Sequence, residues 1–142
     1  MTITLPPELS EFSTQEIQFE LMRRSGGTGF DPYRIIAFLQ DLSDLWHAAI
    51  KDRIFVTPQS AERRIYLPLL YKLRDIPYNY WNADSLFVLA KDRTSAEFLA
   101  DRGADIHLWD RRYGVTLYTE EDTAEMMPNT SNPGCVFKVW WD

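Results

Sequence analysis

The sequence has few of the residues from which metal and redox sites are built. It contains one cysteine, Cys135, so no disulfide can form within the chain and a cysteine zinc cluster is excluded. The only two histidines, His47 and His107, fall on separate predicted elements, so any metal site would depend mainly on carboxylates. We therefore predict neither a metal site nor a cofactor.

The motifs of well-understood enzyme chemistries are also missing. The sequence has no HExxH, paired CxxC, GxSxG or Walker A motif, and no GxGxxG that follows a strand. The run Gly26–Gly29 lacks the preceding strand and the following Lys-Ser/Thr of a phosphate loop, and it is typical of a linker. No serine, histidine and acid triad can be assigned. We name no catalytic residue, which favours a non-enzymatic protein.

Long apolar runs are absent too. None approaches the roughly 20 residues that a transmembrane helix requires, and the N-terminus has no basic segment followed by an apolar one. Hydrophobic residues still make up 45% of the 142 residues, which is enough for one buried core. We expect a single soluble, cytoplasmic domain over residues 1–142 without membrane contact. Its helical half covers about 1–75 and its sheet half about 76–142.

Positive charge is scarce in the second half of the chain. Residues 1–74 hold nine acidic and nine basic side chains, whereas residues 75–142 hold twelve acidic and six basic ones, so the second half carries the whole net charge of −6. A negative field repels phosphate backbones, and we expect no nucleic-acid partner. The same field would attract a basic protein surface.

Capping signals predict about three helices in the first half. Ser13–Glu16 matches a capping box and starts a helix that should end near residue 24. Asp31–Pro32 starts a second helix, whose apolar residues recur with helical spacing through residue 51. Thr57–Pro58 starts a third, which the proline at position 68 should kink or divide.

The second helix would place His47 at the margin of its polar face, three residues after Asp44. The two side chains could form an acid–base pair. A solvated surface histidine is the simpler interpretation, since no third group orients the pair.

Residues 85–114 have the pattern of one βαβ unit. Leu86–Ala90 is continuously apolar, which is typical of a central strand. Thr94–Glu97 is a capping box whose first residue would be the N-cap, and Gly103 is placed as the glycine that ends a helix. Ile106–Trp109 would then be the second strand, reached by a right-handed crossover.

The remaining sequence predicts a hairpin, a helix and a terminal strand. A turn through residues 111–114 leads back along Val115–Tyr118, and a helix runs from Thr119 to about Met127. The apolar segment Cys135–Asp142 should be a strand buried in the sheet. Together these elements predict an α+β fold: about three N-terminal helices packed on a small mixed sheet of roughly three to five strands, with one βαβ unit and a C-terminal strand.

The βαβ unit suggests an anion-binding site, because the loops after its strands lie beside a helix N-terminus. The candidate anion-binding residues are Lys91, Arg93, Thr94, Ser95, Arg111 and Arg112. Asp92 and Asp110 could accept a hydroxyl or act as a general base. The same residues are also explained as a helix cap, a turn and surface charge.

A second candidate surface is acidic and aromatic. It comprises Tyr78, Tyr80, Trp81, Glu120, Glu121 and Glu125. The aromatic segment suits a recognition surface, and it equally suits a structural joint between the two halves.

Two functional hypotheses follow. In the favoured one, the chain is a small non-enzymatic interaction or regulatory protein that binds another protein through its acidic, aromatic C-terminal half. The alternative is a binding domain or enzyme for a small phosphorylated or carboxylated ligand, held at the carboxyl edge of the βαβ unit.

Overall fold

The computed structural model describes residues 10–25, 29–52, 85–111, 114–127 and 130–141. The elements of this part of the chain, in order, are α1 (Thr14–Arg23), α2 (Pro32–Asp41), a 3₁₀ helix (Ser43–Leu45), β1 (Trp46–Asp52), β2 (Ser85–Ala90), α3 (Arg93–Asp105), β3 (Val115–Leu117), α4 (Glu120–Met126) and β4 (Cys135–Trp140). None of the described helices is long and apolar enough to cross a bilayer. The third helix predicted from Thr57 lies outside the described residues.

The four strands form one sheet in the order β1-β2-β4-β3, and every neighbouring pair is antiparallel. Because β2 and β3 are both antiparallel to β4, they run parallel to each other. Helix α3 is therefore the crossover of a βαβ unit whose two strands are separated by the C-terminal strand. The predicted α+β fold is confirmed, and β4 is buried in the sheet as expected. The sheet is antiparallel and not mixed, because β4 separates the two parallel strands.

The core lies on one face of the sheet. Leu86 pairs with Val139 and Val88 pairs with Phe137 across the two central strands, and all four side chains are fully buried. The first three helices cover this face with the buried side chains Phe19, Met22, Ile35, Leu39 and Leu99. Burying one such side chain stabilises a fold by about 1.5–3 kcal/mol, so these strands and helices hold one another in place.

Helix α1 begins with the predicted capping box and closes the outer edge of β1. Ser13 Oγ accepts a hydrogen bond from the Glu16 N–H, and Glu16 Oε1 accepts one from the Ser13 N–H. Gln15 Nε2 donates to the Ala49 carbonyl oxygen at 2.7 Å, and Gln15 Oε1 accepts from the Ala49 N–H at 2.8 Å. The side-chain amide thus occupies the place of a further strand's backbone, which protects the edge from pairing with another chain.

Helix α2 is shorter than predicted: it ends at Asp41, and residues 46–51 form β1 instead of continuing the helix. The Trp46 indole N–H donates to the Leu39 carbonyl oxygen at 2.6 Å and satisfies one acceptor at the helix end. β1 pairs with β2 along its length, and its side chains Ala49 and Lys51 are buried. Apolar residues at helical spacing therefore belong to a strand here, because tertiary pairing outweighs the local pattern.

His47 consequently lies on β1 and not on a helix. It is exposed, as is Asp44 in the 3₁₀ helix, and the described residues contain no hydrogen bond between them. The acid–base pair is not formed.

Helix α3 starts and ends at residues other than those predicted. Its N-cap is Asp92 and not Thr94. The helix continues past Gly103, and His107 adopts the left-handed φ of 61° expected of a terminating residue. Gly103 is required for packing instead, since a Cβ there would lie 2.0 Å from Cζ2 of Trp109.

Residues Ile106–Trp109 close α3 and do not form a strand. The Leu108 N–H donates to the Gly103 carbonyl oxygen at 2.9 Å and the His107 N–H to that of Ala104 at 3.1 Å, the two bonds of a Schellman motif. The second strand of the βαβ unit is β3, which pairs with β4 and not with a hairpin partner at residues 106–109.

Helix α4 begins after Thr119, as predicted, and is tied to β4. Thr119 and Asp122 complete a capping box. The buried Thr123 hydroxyl accepts from the Val136 N–H at 2.9 Å and donates to the Thr119 carbonyl oxygen at 2.9 Å. The helix therefore continues the edge of β4 where β3 has ended.

Replacing Gly103 with alanine should lower the free energy of unfolding by about 1–3 kcal/mol, because the Trp109 indole must move away from the new methyl group. Urea denaturation would measure the loss, and near-ultraviolet circular dichroism would report the displaced indole. In a Trp109→Leu background the same change should cost little. Equal losses in both backgrounds would show that the indole does not restrict position 103.

Replacing Gln15 with methionine, which is close to it in shape, should lower the free energy of unfolding by about 1–3 kcal/mol through loss of two hydrogen bonds at the edge of β1. Gln18→Met on the same helix is the matched control and should stay close to the wild type. Equal urea midpoints for the two variants would contradict the proposed edge protection.

Candidate functional site

The carboxyl ends of the parallel strands β2 and β3 reach the same edge of the sheet. We call the residues that follow them, Lys91–Ser95 and Tyr118–Glu120, the carboxyl edge. The loop into β4 also crosses here, and Gly134 has a φ of 115°. A Cβ at Gly134 would lie 2.1 Å from the Ala90 carbonyl oxygen, so only glycine allows this close approach.

Asp92 satisfies the start of α3 with its own carboxylate. Its Oδ1 accepts from the Ser95 N–H at 2.7 Å, and the Ser95 side chain also bonds to it. These hydrogen bonds, helped by the nearby charge of Lys91, lower the pKa of Asp92 from its usual value. A carboxylate whose pKa is lowered is a weak base, so Asp92 is suited to capping and not to general-base chemistry.

A second carboxylate reaches the start of α3 from α4. Glu120 Oε1 accepts from the Arg93 N–H at 3.1 Å, and Arg93 Nε donates to Glu97 Oε1 at 2.9 Å. The helix N-terminus is the part of the βαβ unit that would favour an external anion. Here such an anion would have to compete with carboxylates of the protein itself.

Arg111 lies towards the other end of α3. Its Nη2 donates to Asp105 Oδ1 at 2.5 Å and to the Asp101 carbonyl oxygen at 3.1 Å. Glu97, which binds Arg93, precedes Asp105 by two helical turns, or about 12 Å of rise. The structure therefore does not bring Arg93 and Arg111 to one small anion.

The other residues of the predicted anion site do not all lie together either. Lys91 and Thr94 are exposed at the carboxyl edge, and the Lys91 N–H donates to the Leu45 carbonyl oxygen at 3.0 Å. Asp110 is exposed beyond the end of α3. Arg112 lies outside the described residues.

Glu120 lies beside the start of α3, where residues 110–112 were predicted to lie. The difference follows from the second strand, which is β3 and not Ile106–Trp109, so the loop that meets Lys91–Ser95 starts at Tyr118. The sequence carried one signal for this arrangement, namely the capping box at Thr119 directly after an apolar run. As a result the carboxyl edge receives an acidic segment where a basic one was expected.

Cys135 lies fully buried beneath this edge, and its Sγ donates to the Tyr118 carbonyl oxygen at 2.9 Å. Burial raises the pKa of the thiol, and Glu120 acts in the same direction while Arg93 opposes it. A buried thiol that stays protonated is a poor nucleophile and a poor metal ligand. Within the described part of the chain, no three His, Cys, Asp or Glu side chains are grouped to hold a metal ion.

The acidic surface is partly described. Glu121 and Glu125 are exposed on α4 one turn apart, and neither forms an ion pair with a described residue. Trp140 on β4 is 39% exposed. The aromatic members of the predicted surface, Tyr78, Tyr80 and Trp81, lie outside the described residues.

No protein-family model, curated protein or solved structure matches this chain. The geometry of the described residues is therefore the basis for the functional proposal.

Substituting the residue that caps α3 should destabilise the fold more than substituting the residue that the sequence favoured as its cap. At neutral pH, Asp92→Ala should lower the melting temperature more than Thr94→Ala, because only Asp92 accepts from the Ser95 N–H. Differential scanning calorimetry of the two variants compares them directly.

The difference in stability between the Asp92→Ala variant and the wild type should also depend on pH. Folding lowers the pKa of Asp92, so its contribution is present above the unfolded-state pKa of about 4 and is lost as the pH falls through the lower folded-state pKa. The Asp92→Ala variant and the wild type should therefore converge in strong acid. A constant difference from pH 7 to pH 2 would show that the carboxylate is not the capping group.

Proposed function

We propose that the protein is a small non-enzymatic interaction or regulatory protein that binds another protein through its acidic, aromatic C-terminal half. The observation that carries the proposal is the exposed pair Glu121 and Glu125, which lacks a basic partner among the described residues. Unneutralised carboxylates on one helix face produce a negative potential that attracts a basic surface and aligns it on contact.

Two cations of the C-terminal half are paired within the protein, unlike Glu121 and Glu125 on α4. Arg93 is paired with Glu97, and Arg111 is paired with Asp105, so these cations are neutralised within the protein. On α4, Glu121 and Glu125 are left to interact with another molecule, whereas Glu120 and Asp122 are already hydrogen-bonded within the protein. Apolar area is exposed on the same helix, where Met126 is 50% exposed, and a partner that binds the carboxylates could bury it.

The alternative, a small phosphorylated or carboxylated ligand at the carboxyl edge, has less support. The Arg93 and Ser95 N–H groups already donate to Glu120 and Asp92. A ligand would need to displace two intramolecular carboxylates and would gain only the difference in interaction energy.

Affinity capture with the full chain tests the proposal. Wild-type protein should retain one stoichiometric partner from a lysate of its source, and Glu121→Lys with Glu125→Lys should release it. Glu120 is left unchanged, since it bonds to the Arg93 N–H and its loss would disturb α3. The matched control is Glu11→Lys with Asp44→Lys, which makes the same charge change at exposed positions in the first half.

The proposal requires that the control retains the partner and that added salt weakens the capture, because steering charges are screened within about 8–10 Å at physiological ionic strength. Equal capture by the α4 variant would contradict it. A rise in melting temperature with inorganic phosphate, ATP or citrate that Arg93→Ala abolishes would favour the ligand-binding alternative instead.

A further inference from the structure

Helices α2 and α3 border an open groove with a volume of about 430 Å³. Arg34 Nη2, near the start of α2, donates to the Ile106 carbonyl oxygen just after α3, at 2.8 Å. The Leu45 carbonyl oxygen, beyond the end of α2, accepts from the N–H of Lys91, just before α3. The two helices therefore run in opposite directions, and the groove follows their length.

The floor of the groove is apolar, and one wall exposes a large aromatic ring. Phe38 and Leu108 are buried at the floor, with the half-buried Leu42 and Ile106 beside them. Phe98 on α3 is 49% exposed where it borders the groove. An exposed phenyl ring beside an apolar groove offers area that a second molecule can remove from water.

The two ends of the groove carry opposite charges. Arg34 and Arg102 lie at the end where α2 starts and α3 finishes. The Arg102 guanidinium forms no hydrogen bond or ion pair with the described residues. Asp41 lies at the other end, as the last residue of α2, with Phe98 across the groove. The charge pattern can therefore orient an occupant as well as attract it.

We propose that this groove binds a helical segment of a partner protein. The segment carries large apolar side chains against Phe98 and the floor, an acidic residue against Arg34 and Arg102, and a basic residue against Asp41. A solvent-open groove bordered by two helices suits an amphipathic helix, whereas small ligands are held in sites that bury most of their surface. The negative end of the partner helix dipole would also face the two arginines.

This surface uses none of the residues assigned to the acidic face of α4. The two proposals can therefore fail independently. Reversing Glu121 and Glu125 should leave binding in the groove unchanged.

Fluorescence anisotropy with the full chain tests the groove. The probe is a fluorescein-labelled synthetic amphipathic helix of about four turns, with leucines on one face, lysines in the first turn and glutamates in the last. Wild-type protein should bind it, and Arg102→Glu should weaken the affinity at least about tenfold. Phe98→Ala should also weaken it, and this substitution at a half-exposed position leaves the core intact.

Arg23→Glu is the matched control, because it makes the same charge change on α1 outside the groove. It should change the affinity less than about twofold. A peptide with its glutamates replaced by glutamines should bind more weakly than the original, because the pairing with Arg34 and Arg102 is lost in either orientation. The proposal is overturned if the wild type does not bind the probe, if the control loses affinity as Arg102→Glu does, if the two peptides bind equally, or if octanoate displaces the probe completely.

Discussion

The pairing of β4 with β2, from Ser85 opposite Trp140 to Ala90 opposite Cys135, is the constraint on which the rest of the structure depends. It inserts the last described strand between the two parallel strands of the βαβ unit. It also creates the face on which the helices bury their apolar side chains. Because neighbouring elements bury the same surfaces together, displacing β4 would expose the core of β2 and remove the partner of β3.

The position of β4 also determines the character of the carboxyl edge. With β3 as the second strand of the βαβ unit, the following loop delivers Glu120 to the start of α3, where it joins Asp92. Carboxylates of the protein thus occupy the positive end of the helix dipole, which would otherwise attract a phosphate. Glu121 and Glu125, farther along α4, do not bond to the start of α3. Their exposed carboxylates therefore form the proposed interaction surface.

Local signals in the sequence predicted the helix starts at Ser13, Asp31 and Thr119, because a capping side chain bonds within three residues. The local signals failed where contacts between residues far apart in the sequence decide the secondary structure. β1 has apolar residues at helical spacing, and Ile106–Trp109 has the composition of a strand but completes a helix end. The error in strand assignment then grouped Arg111 with Arg93, and it hid the contact between Glu120 and α3.

Cross-strand nuclear Overhauser effects in the full chain test the central claim most directly. The account predicts backbone proton contacts that link Phe137 both to Val88 and to Leu117, since β4 pairs with both neighbours. It also predicts no ladder between residues 86–90 and residues 106–109. A continuous ladder between those two segments, with Phe137 linked to neither neighbour, would contradict the fold and the carboxyl edge derived from it.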